Sequence, residues 1–257
     1  MKTMAVILAA GKGTRMQSEL PKVMHPLLGE PMVSYSVRTA AAVTGRRPVV
    51  IVGYRGNLVR RALGDRARFA VQTVQKGTGH ALRQAESLVR GETDTVLVTF
   101  GDMPLLSPET LGDLLAAHSR TGGPLTMLSV IAEDPRGFGR VVRGPVGTVQ
   151  SIVEEAVATP EELSIRELNV SGYALDDGWV WDALREIRPA PTGEYYLTDL
   201  VEIAVSAGHS VETVQVREPG EAIGINTPEH LKEAEAFLAE RVGAGNGRVT
   251  APRTSRT

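Results

Sequence analysis

The hydrophobic residues of this chain fall into short runs that alternate with amphipathic stretches of helical period. Short apolar runs bounded by Gly, Pro and polar residues are typical of strands buried on both faces, and helical periodicity indicates helices packed on a sheet. The predicted strands are 4–8, 49–52, 69–72, 95–100 and 125–131, and the predicted helices are 32–43, 57–63, 79–89 and 108–118. This alternation predicts an α/β domain with a mostly parallel sheet flanked by helices.

The pattern changes after this first part of the chain. Two short strands, 140–142 and 148–153, flank a turn at 143–147 and predict a small antiparallel insertion. The later predicted elements are a strand at 168–175, helices at 178–187 and 194–207, a strand at 211–216, and a helix at 228–241 capped by Thr227. We therefore predict one domain over residues 1–241. Residues 242–257, rich in Gly, Arg, Ser and Thr, predict a flexible tail or truncated linker.

Composition narrows the class of protein. Charged residues make up 23% of the 257 residues and the formal net charge is −2, which does not favour a nucleic-acid-binding surface. No cysteine is present, so disulfides and thiolate zinc sites are excluded, as suits a cytoplasmic enzyme. The apolar run at 4–10 leads into a glycine-rich loop rather than a cleavage region, which predicts a strand and not a signal peptide. No apolar run approaches the roughly 18 residues of a membrane span, so no membrane contact is expected.

The glycine-rich loop directly follows the first predicted strand. Small residues there let the backbone approach a ligand, and successive N–H groups can surround an anion. A Walker loop would need Ser or Thr after Lys12, and a dinucleotide fingerprint would need Gly in place of Met16, so both motifs are rejected. Arg15 can contact phosphate oxygens in a bidentate manner and Lys22 adds a compact charge. The loop thus predicts phosphate binding, with a tight turn that holds no ligand as the alternative.

Two later loops carry candidate binding groups. In the segment that opens the helix at 79–89, Gln72 or Gln75 could read the edge of a base, while the alternative is simple capping by Thr78. We interpret His80 as a packed or capping histidine, because no second metal-type residue lies at a useful spacing. Asp102 follows the strand 95–100, where parallel strands end, which favours a Mg²⁺ ligand over a turn cap.

Four weaker motifs follow in order, around Gly139, Glu154, Asn169 and Asn226. Residues 8–22 closely resemble the signature of sugar-phosphate nucleotidyltransferases, and the order of the later motifs resembles the N-acetylglucosamine-1-phosphate uridylyltransferases over about residues 4–240. The segment 193–199 matches a helix start of that family. The resemblance implies a Rossmann-like nucleotidyltransferase fold and the formation of UDP-N-acetylglucosamine and pyrophosphate from UTP and N-acetylglucosamine 1-phosphate with Mg²⁺.

The resemblance also implies roles for individual residues. Those that would contact the nucleotide are Leu8, Ala9, Ala10, Gly11, Gly13, Lys22, Gln72, Gly77 and Thr78. Arg15 and Lys22 would assist the transfer, Asp102 and Asn226 would hold Mg²⁺, and Gly139, Glu154 and Asn169 would contact the amino sugar.

The chain departs from the family pattern at two places. It reads Asn169-Val170-Ser171-Gly172 where Asn-Thr-Gly is usual, and after Asn226 it reads Thr227-Pro228-Glu229 where Asn or Asp followed by Arg is usual. A transferase for another sugar, base or alcohol, or a non-catalytic nucleotide-sensing domain, are therefore the alternatives. In the family that the chain resembles, a β-helix of hexapeptide repeats carries trimerisation. No such repeat occurs in this sequence, so we expect a monomer.

Overall fold

The computed structural model describes residues 1–246, and the side chains of residues 1–241. The strands are β1 (Thr3–Ala9), β2 (Pro26–Leu27), β3 (Glu30–Pro31), β4 (Val49–Val52), β5 (Arg68–Val71), β6 (Thr95–Phe100), β7 (Leu125–Ile131), β8 (Arg140–Arg143), β9 (Val149–Val153), β10 (Glu167–Asp176) and β11 (Glu212–Gln215). The helices are α1 (Met32–Thr44), α2 (Gly56–Leu63), α3 (Thr78–Arg83), α4 (Glu86–Val89), α5 (Pro108–Thr121), α6 (Pro160–Leu163), α7 (Asp177–Glu186), α8 (Asp199–Ser206) and α9 (Pro228–Asn246). In the described residues, no helix is long and apolar enough to cross a membrane.

One sheet organises the domain, in the order β11-β7-β10-β6-β1-β4-β5. Neighbours pair in parallel except for β10, which lies antiparallel between β6 and β7. The strands β8 and β9 form an antiparallel pair attached to β10. The predicted Rossmann-like α/β fold, with a mostly parallel sheet and a small antiparallel part, is confirmed.

Both faces of the sheet are covered, which explains why the central strands β1 and β4 are nearly unbroken apolar runs. Alternate residues of β1 enter different cores: Ile7 packs with α1, α2 and α5 on one face, and Val6 packs with α3, α7 and α8 on the other. Buried Trp181 of α7 is the largest side chain of the second core, and its indole N–H donates to Asp177 at 2.8 Å. The sheet is therefore held rigidly from both sides.

This topology gathers the predicted loops at one edge. The carboxyl ends of β6, β1 and β5 lie at the same edge, because β6, β1, β4 and β5 are neighbours in that order and pair in parallel. Since β10 runs the other way, its first half reaches the same edge and carries Asn169. The loops after three parallel strands and the start of one antiparallel strand thus share a single crevice.

Two predicted helices are wrong in part. The single helix at 79–89 is two short helices, α3 and α4, separated by tight bonds from Gln84 N to Ala81 O (3.0 Å) and from Ala85 N to Leu82 O (2.9 Å). The helix predicted from residue 194 begins only at Asp199, because the backbone of Tyr195 is bonded elsewhere. Its N–H donates to Lys76 O at 2.9 Å, and its carbonyl accepts from Gly79 N at 2.8 Å.

The last helix differs from its predicted range at the C-terminal end. α9 continues past residue 241 to Asn246, so the start of the predicted tail is helical. Thr227 accepts from His230 N at 3.3 Å, as a capping residue does. The rest of the predicted tail, 247–257, lies outside the described residues.

Candidate active site

A first cavity of about 260 Å³ lies beyond the ends of β1, β5 and β6. Its lining residues are Leu8, Ala9, Ala10, Gly11, Lys22, Val23, Gln72, Gln75, Gly77, Thr78, Ala81, Phe100, Asp102 and Glu194. A Cβ placed on Gly11 would meet nothing within 4 Å, so the chain leaves open space at that point. The backbone after β1 is therefore accessible to a ligand, as the glycine-rich loop predicts.

Gly13 has a different position from its neighbours. It does not line the first cavity; its backbone is left-handed (φ +72°), and a Cβ there would collide with Cβ of Lys22. Glycine at this position lets Lys22 pack directly against the loop. Gly13 accordingly fixes the lysine stem.

Four polar side chains from distant parts of the chain meet beside the first cavity. Lys22 pairs with the carboxylate of Asp102 and donates to Asn226 Oδ1 at 2.8 Å. Arg15 Nη2 donates to the same Asn226 oxygen at 3.0 Å. Lys22 and Asp102 are both mostly buried, each with 17% of its side chain exposed, so their charges are only partly screened. We call Arg15, Lys22, Asp102 and Asn226 the polar cluster.

The far side of the first cavity contains an ordered amide. Gln72 is 3% exposed, and its Nε2 donates to Gly77 O at 3.0 Å and lies 2.9 Å from His80 Nδ1. Gln75 is exposed and its Nε2 donates to Gln72 O at 3.1 Å. Thr78 does not cap α3, contrary to the alternative interpretation, because its hydroxyl accepts from Leu197 N at 2.9 Å.

A second cavity of about 210 Å³ adjoins the first, and Thr78, Phe100 and Asp102 line both. Its remaining lining residues are Arg15, Met103, Gly137, Phe138, Gly139, Glu154, Asn169, Ser171, Tyr173, Tyr196, Leu197, Thr198, Gly224 and Asn226. All three predicted sugar contacts, Gly139, Glu154 and Asn169, thus lie in one cavity. The polar cluster lies where the two cavities meet.

A carboxyl group is held inside the second cavity. The hydroxyl of Thr198 donates to Glu154 Oε1 at 2.9 Å. Burial raises the pKa of Glu154, the Thr198 hydrogen bond opposes that shift, and the charge of Glu194 adds to it. The carboxyl of Glu154 is thereby presented as a hydrogen-bonding group within the second cavity.

The irregular part of β10 forms another wall. Its register shifts between Asn169 and Tyr173, and Ser171 adopts a left-handed conformation with φ +57°. Asn169 Nδ2 donates to Tyr173 Oη at 2.5 Å, while Ser171 N donates to Asn169 Oδ1 at 3.3 Å. The bulge therefore fixes the Asn169 side chain and directs this stretch of β10 to the cavity.

Apart from Gly13, the predicted site residues line one or both cavities. Tyr173 and Thr198 were not predicted as site residues, because a tyrosine in a buried strand and a threonine inside the helix predicted at 194–207 have common structural roles. Within residues 1–241, no three His, Asp or Glu side chains converge as a metal cluster. Asp102 and Asn226 are the side chains of the polar cluster whose oxygens could hold a cation.

The sequence is similar to those of known proteins. The sequence profile of the MobA-like NTP transferase domain matches residues 5–168. The bifunctional protein GlmU of Pelotomaculum thermopropionicum is 46% identical over 243 residues, which are 94% of this chain and 53% of that protein. The corresponding protein of Bacillus subtilis is 39% identical over 242 residues, again 94% of this chain and 53% of the relative. The chain thus spans about half the length of these relatives.

A solved structure extends the likeness to the fold. The crystal structure of a UDP-glucose pyrophosphorylase complexed with UDP-glucose superposes with a TM-score of 0.74, at 18% identity, covering 94% of this chain and all of that one. At that identity the likeness concerns the fold alone. Together with the matched profile, the sheet order and the crevice at its carboxyl edge, these findings establish that the chain belongs to the family of MobA-like NTP transferase domains.

Proposed function

We propose that this protein transfers a uridylyl group from UTP to N-acetylglucosamine 1-phosphate, forming UDP-N-acetylglucosamine and pyrophosphate. The observation that carries the proposal is the position of the polar cluster between two adjoining cavities. A nucleotide in the first cavity and a sugar phosphate in the second would bring their phosphates together at Lys22 and Arg15. That is the arrangement a two-substrate phosphoryl-group transfer requires.

The reaction needs positioning more than proton transfer. A phosphate oxygen of the sugar 1-phosphate attacks the α-phosphorus of UTP in line, the bond to the β-phosphate oxygen breaks, and pyrophosphate leaves with the electron pair. Because a phosphomonoester has a second pKa of about 6, the attacking oxygen is ionised at neutral pH and no general base is required. Lys22 and Arg15 would stabilise the charge that collects on the transferring group.

The polar cluster also fits Mg²⁺. Asp102 and Asn226 present a carboxylate and an amide oxygen to one shared cation, the Lys22 ammonium, and hard oxygen ligands are what Mg²⁺ prefers. The bound ion would neutralise phosphate charge. We propose these two residues as its ligands.

The remaining roles follow from the cavity walls. In the first cavity, the backbone of Leu8 to Gly11 would surround the nucleotide phosphates and sugar, with Gln72, Gly77 and Thr78 around the uracil. In the second, Gly139, Glu154 and Asn169 would contact the amino sugar. The resemblance of the motif order to N-acetylglucosamine-1-phosphate uridylyltransferases supports this substrate pair over other sugar phosphates. The monomeric state remains a prediction.

Pyrophosphate release tests the proposal directly. The full chain is assayed with Mg²⁺, first with UTP and either N-acetylglucosamine 1-phosphate or glucose 1-phosphate, then with CTP, GTP or ATP and N-acetylglucosamine 1-phosphate. We expect the fastest release with UTP and the amino sugar. Preference for another pair would assign a related transferase, and saturable UTP binding without turnover would assign a sensing domain.

A further inference from the structure

Gln72 is locked by two contacts within a site where a base is proposed to bind. Its side chain is almost fully buried, and its Nε2 lies 3.0 Å from Gly77 O and 2.9 Å from His80 Nδ1. A backbone carbonyl only accepts, so the atom facing Gly77 must be the amide nitrogen. The amide orientation is therefore fixed, and Oε1 is the atom left available to the first cavity.

The same logic fixes His80. One hydrogen of the Gln72 amide goes to Gly77 O, and the second meets His80 Nδ1, which must then be an unprotonated acceptor. Burial lowers the pKa of His80, and the positive charges of Arg83 and Lys76 lower it further, which favours the neutral ring. On the other side Gln84 Nε2 donates to His80 O at 2.9 Å; its 3.4 Å approach to His80 Nε2 joins two N–H groups in this tautomer and is not a hydrogen bond.

We infer that His80 is a positioning residue for base selection: by accepting at Nδ1, it holds Gln72 so that Oε1 faces the N3–H of uracil. Uracil donates at N3, whereas cytosine accepts there. A fixed acceptor therefore bonds uracil and opposes cytosine, and a site built around one hydrogen bond rejects an analogue that cannot make it. This inference rests on the proposed uridylyl transfer and deepens it by assigning a role to a side chain beside the base.

Two substitutions separate this role from simple packing. His80→Asn keeps an acceptor, since the side-chain oxygen of asparagine is as many bonds from Cα as Nδ1 of histidine is. His80→Leu fills similar space without an acceptor. The wild type and both variants are assayed for pyrophosphate release with UTP and with CTP, and their folding is compared by circular dichroism.

We expect His80→Leu to lower the UTP-to-CTP ratio of kcat/KM about 10-fold through a higher KM for UTP, because the buried amide loses one of its two partners. The KM for the sugar phosphate and kcat should stay within about 3-fold, and His80→Asn should keep most of the discrimination. An unchanged ratio in His80→Leu, or an equal loss in both variants, would overturn the inference.

A spectroscopic measurement on the wild type needs no variant and no turnover. Long-range ¹H–¹⁵N correlation of the His80 ring at neutral pH should show protonated Nε2 and bare Nδ1. A ring protonated at Nδ1 would refute the assignment even if His80→Leu failed to fold. If the wild type released no pyrophosphate, the proposed function would fail, while this tautomer measurement would still decide the hydrogen bond.

Discussion

The two cavities adjoin, yet different kinds of groups line them. The first is lined by backbone and small side chains at 9–11 and 77–78, by larger side chains such as Phe100, and by one locked amide, Gln72. The second is lined by side chains whose polar groups hold one another, Thr198 with Glu154 and Tyr173 with Asn169. Backbone suits a phosphate chain, which needs N–H donors and close approach, while fixed side chains suit a ring of hydroxyl groups. Changes at the glycine positions of the first cavity should therefore act through shape, and changes at the paired side chains of the second through hydrogen bonding.

The largest effect is expected where the cavities meet. Lys22→Met keeps the stem that packs on Gly13 but removes the charge, so we expect kcat to fall by at least about 100-fold, as when a charge-stabilising donor is lost. Steady-state pyrophosphate release measures this, with Lys232→Met on the exposed face of α9 as a control. Activity near that of the wild type in Lys22→Met would mean that Lys22 does not stabilise the transferring phosphate.

Gly77→Ala tests the dependence of the first cavity on shape. Its left-handed backbone (φ +94°) disfavours a side chain, and a Cβ would lie 2.6 Å from Tyr195 O and 2.7 Å from Tyr195 N. We expect a loss of about 3 kcal/mol in the free energy of unfolding, and a raised KM for UTP. Urea denaturation measures the loss. Gly91→Ala, at φ +79° with open space around it, should cost only about 1 kcal/mol; equal losses would show that the collision with Tyr195 is relieved without cost.

Sequence patterns predicted the residues of the first cavity better than those of the second, for a physical reason. The loop containing Gly11 and the carboxylate of Asp102 follow strands directly, so a local pattern in a parallel sheet also fixes their place in space. The partner of Glu154 is Thr198, which lies far along the chain and comes next to it only through tertiary packing. The start of α8 was mispredicted for a related reason: the backbone of Tyr195 bonds to the loop at Lys76 to Gly79, which overrides local helix preference.

Thr198→Val tests hydrogen bonding in the second cavity with little change of shape. Without the hydroxyl, the Glu154 carboxyl loses a partner, and its pKa should rise further. We expect the KM for the sugar phosphate to rise about 10-fold while the KM for UTP stays nearly constant.

Initial rates with each substrate varied in turn give both constants. Thr44→Val, which removes a hydroxyl bonded to Ala40 O at the end of α1, is the matched control. Equal changes in both constants would contradict separate roles for the two cavities.

The smallest effect concerns the acidic charge beside the second cavity. Burial, followed by the charges of Glu202 and Glu154, raises the pKa of Asp199 to about 6 from its ordinary value of 3.8. The folded state therefore binds the proton more tightly than the unfolded state, so the stability contribution of Asp199 falls as pH rises from about 4 to about 6 and is constant above that.

Asp199→Asn removes this penalty. Because Asp199 is only half-buried, we expect the variant to be about 1 kcal/mol more stable at pH 8, with a smaller gain at pH 5. Urea denaturation at both pH values measures the difference, and Glu218→Gln, at an exposed site, is the control. A gain that did not change between pH 5 and pH 8 would indicate that the introduced amide acts through new contacts, and that the carboxylates around the second cavity do not repel one another in the folded protein.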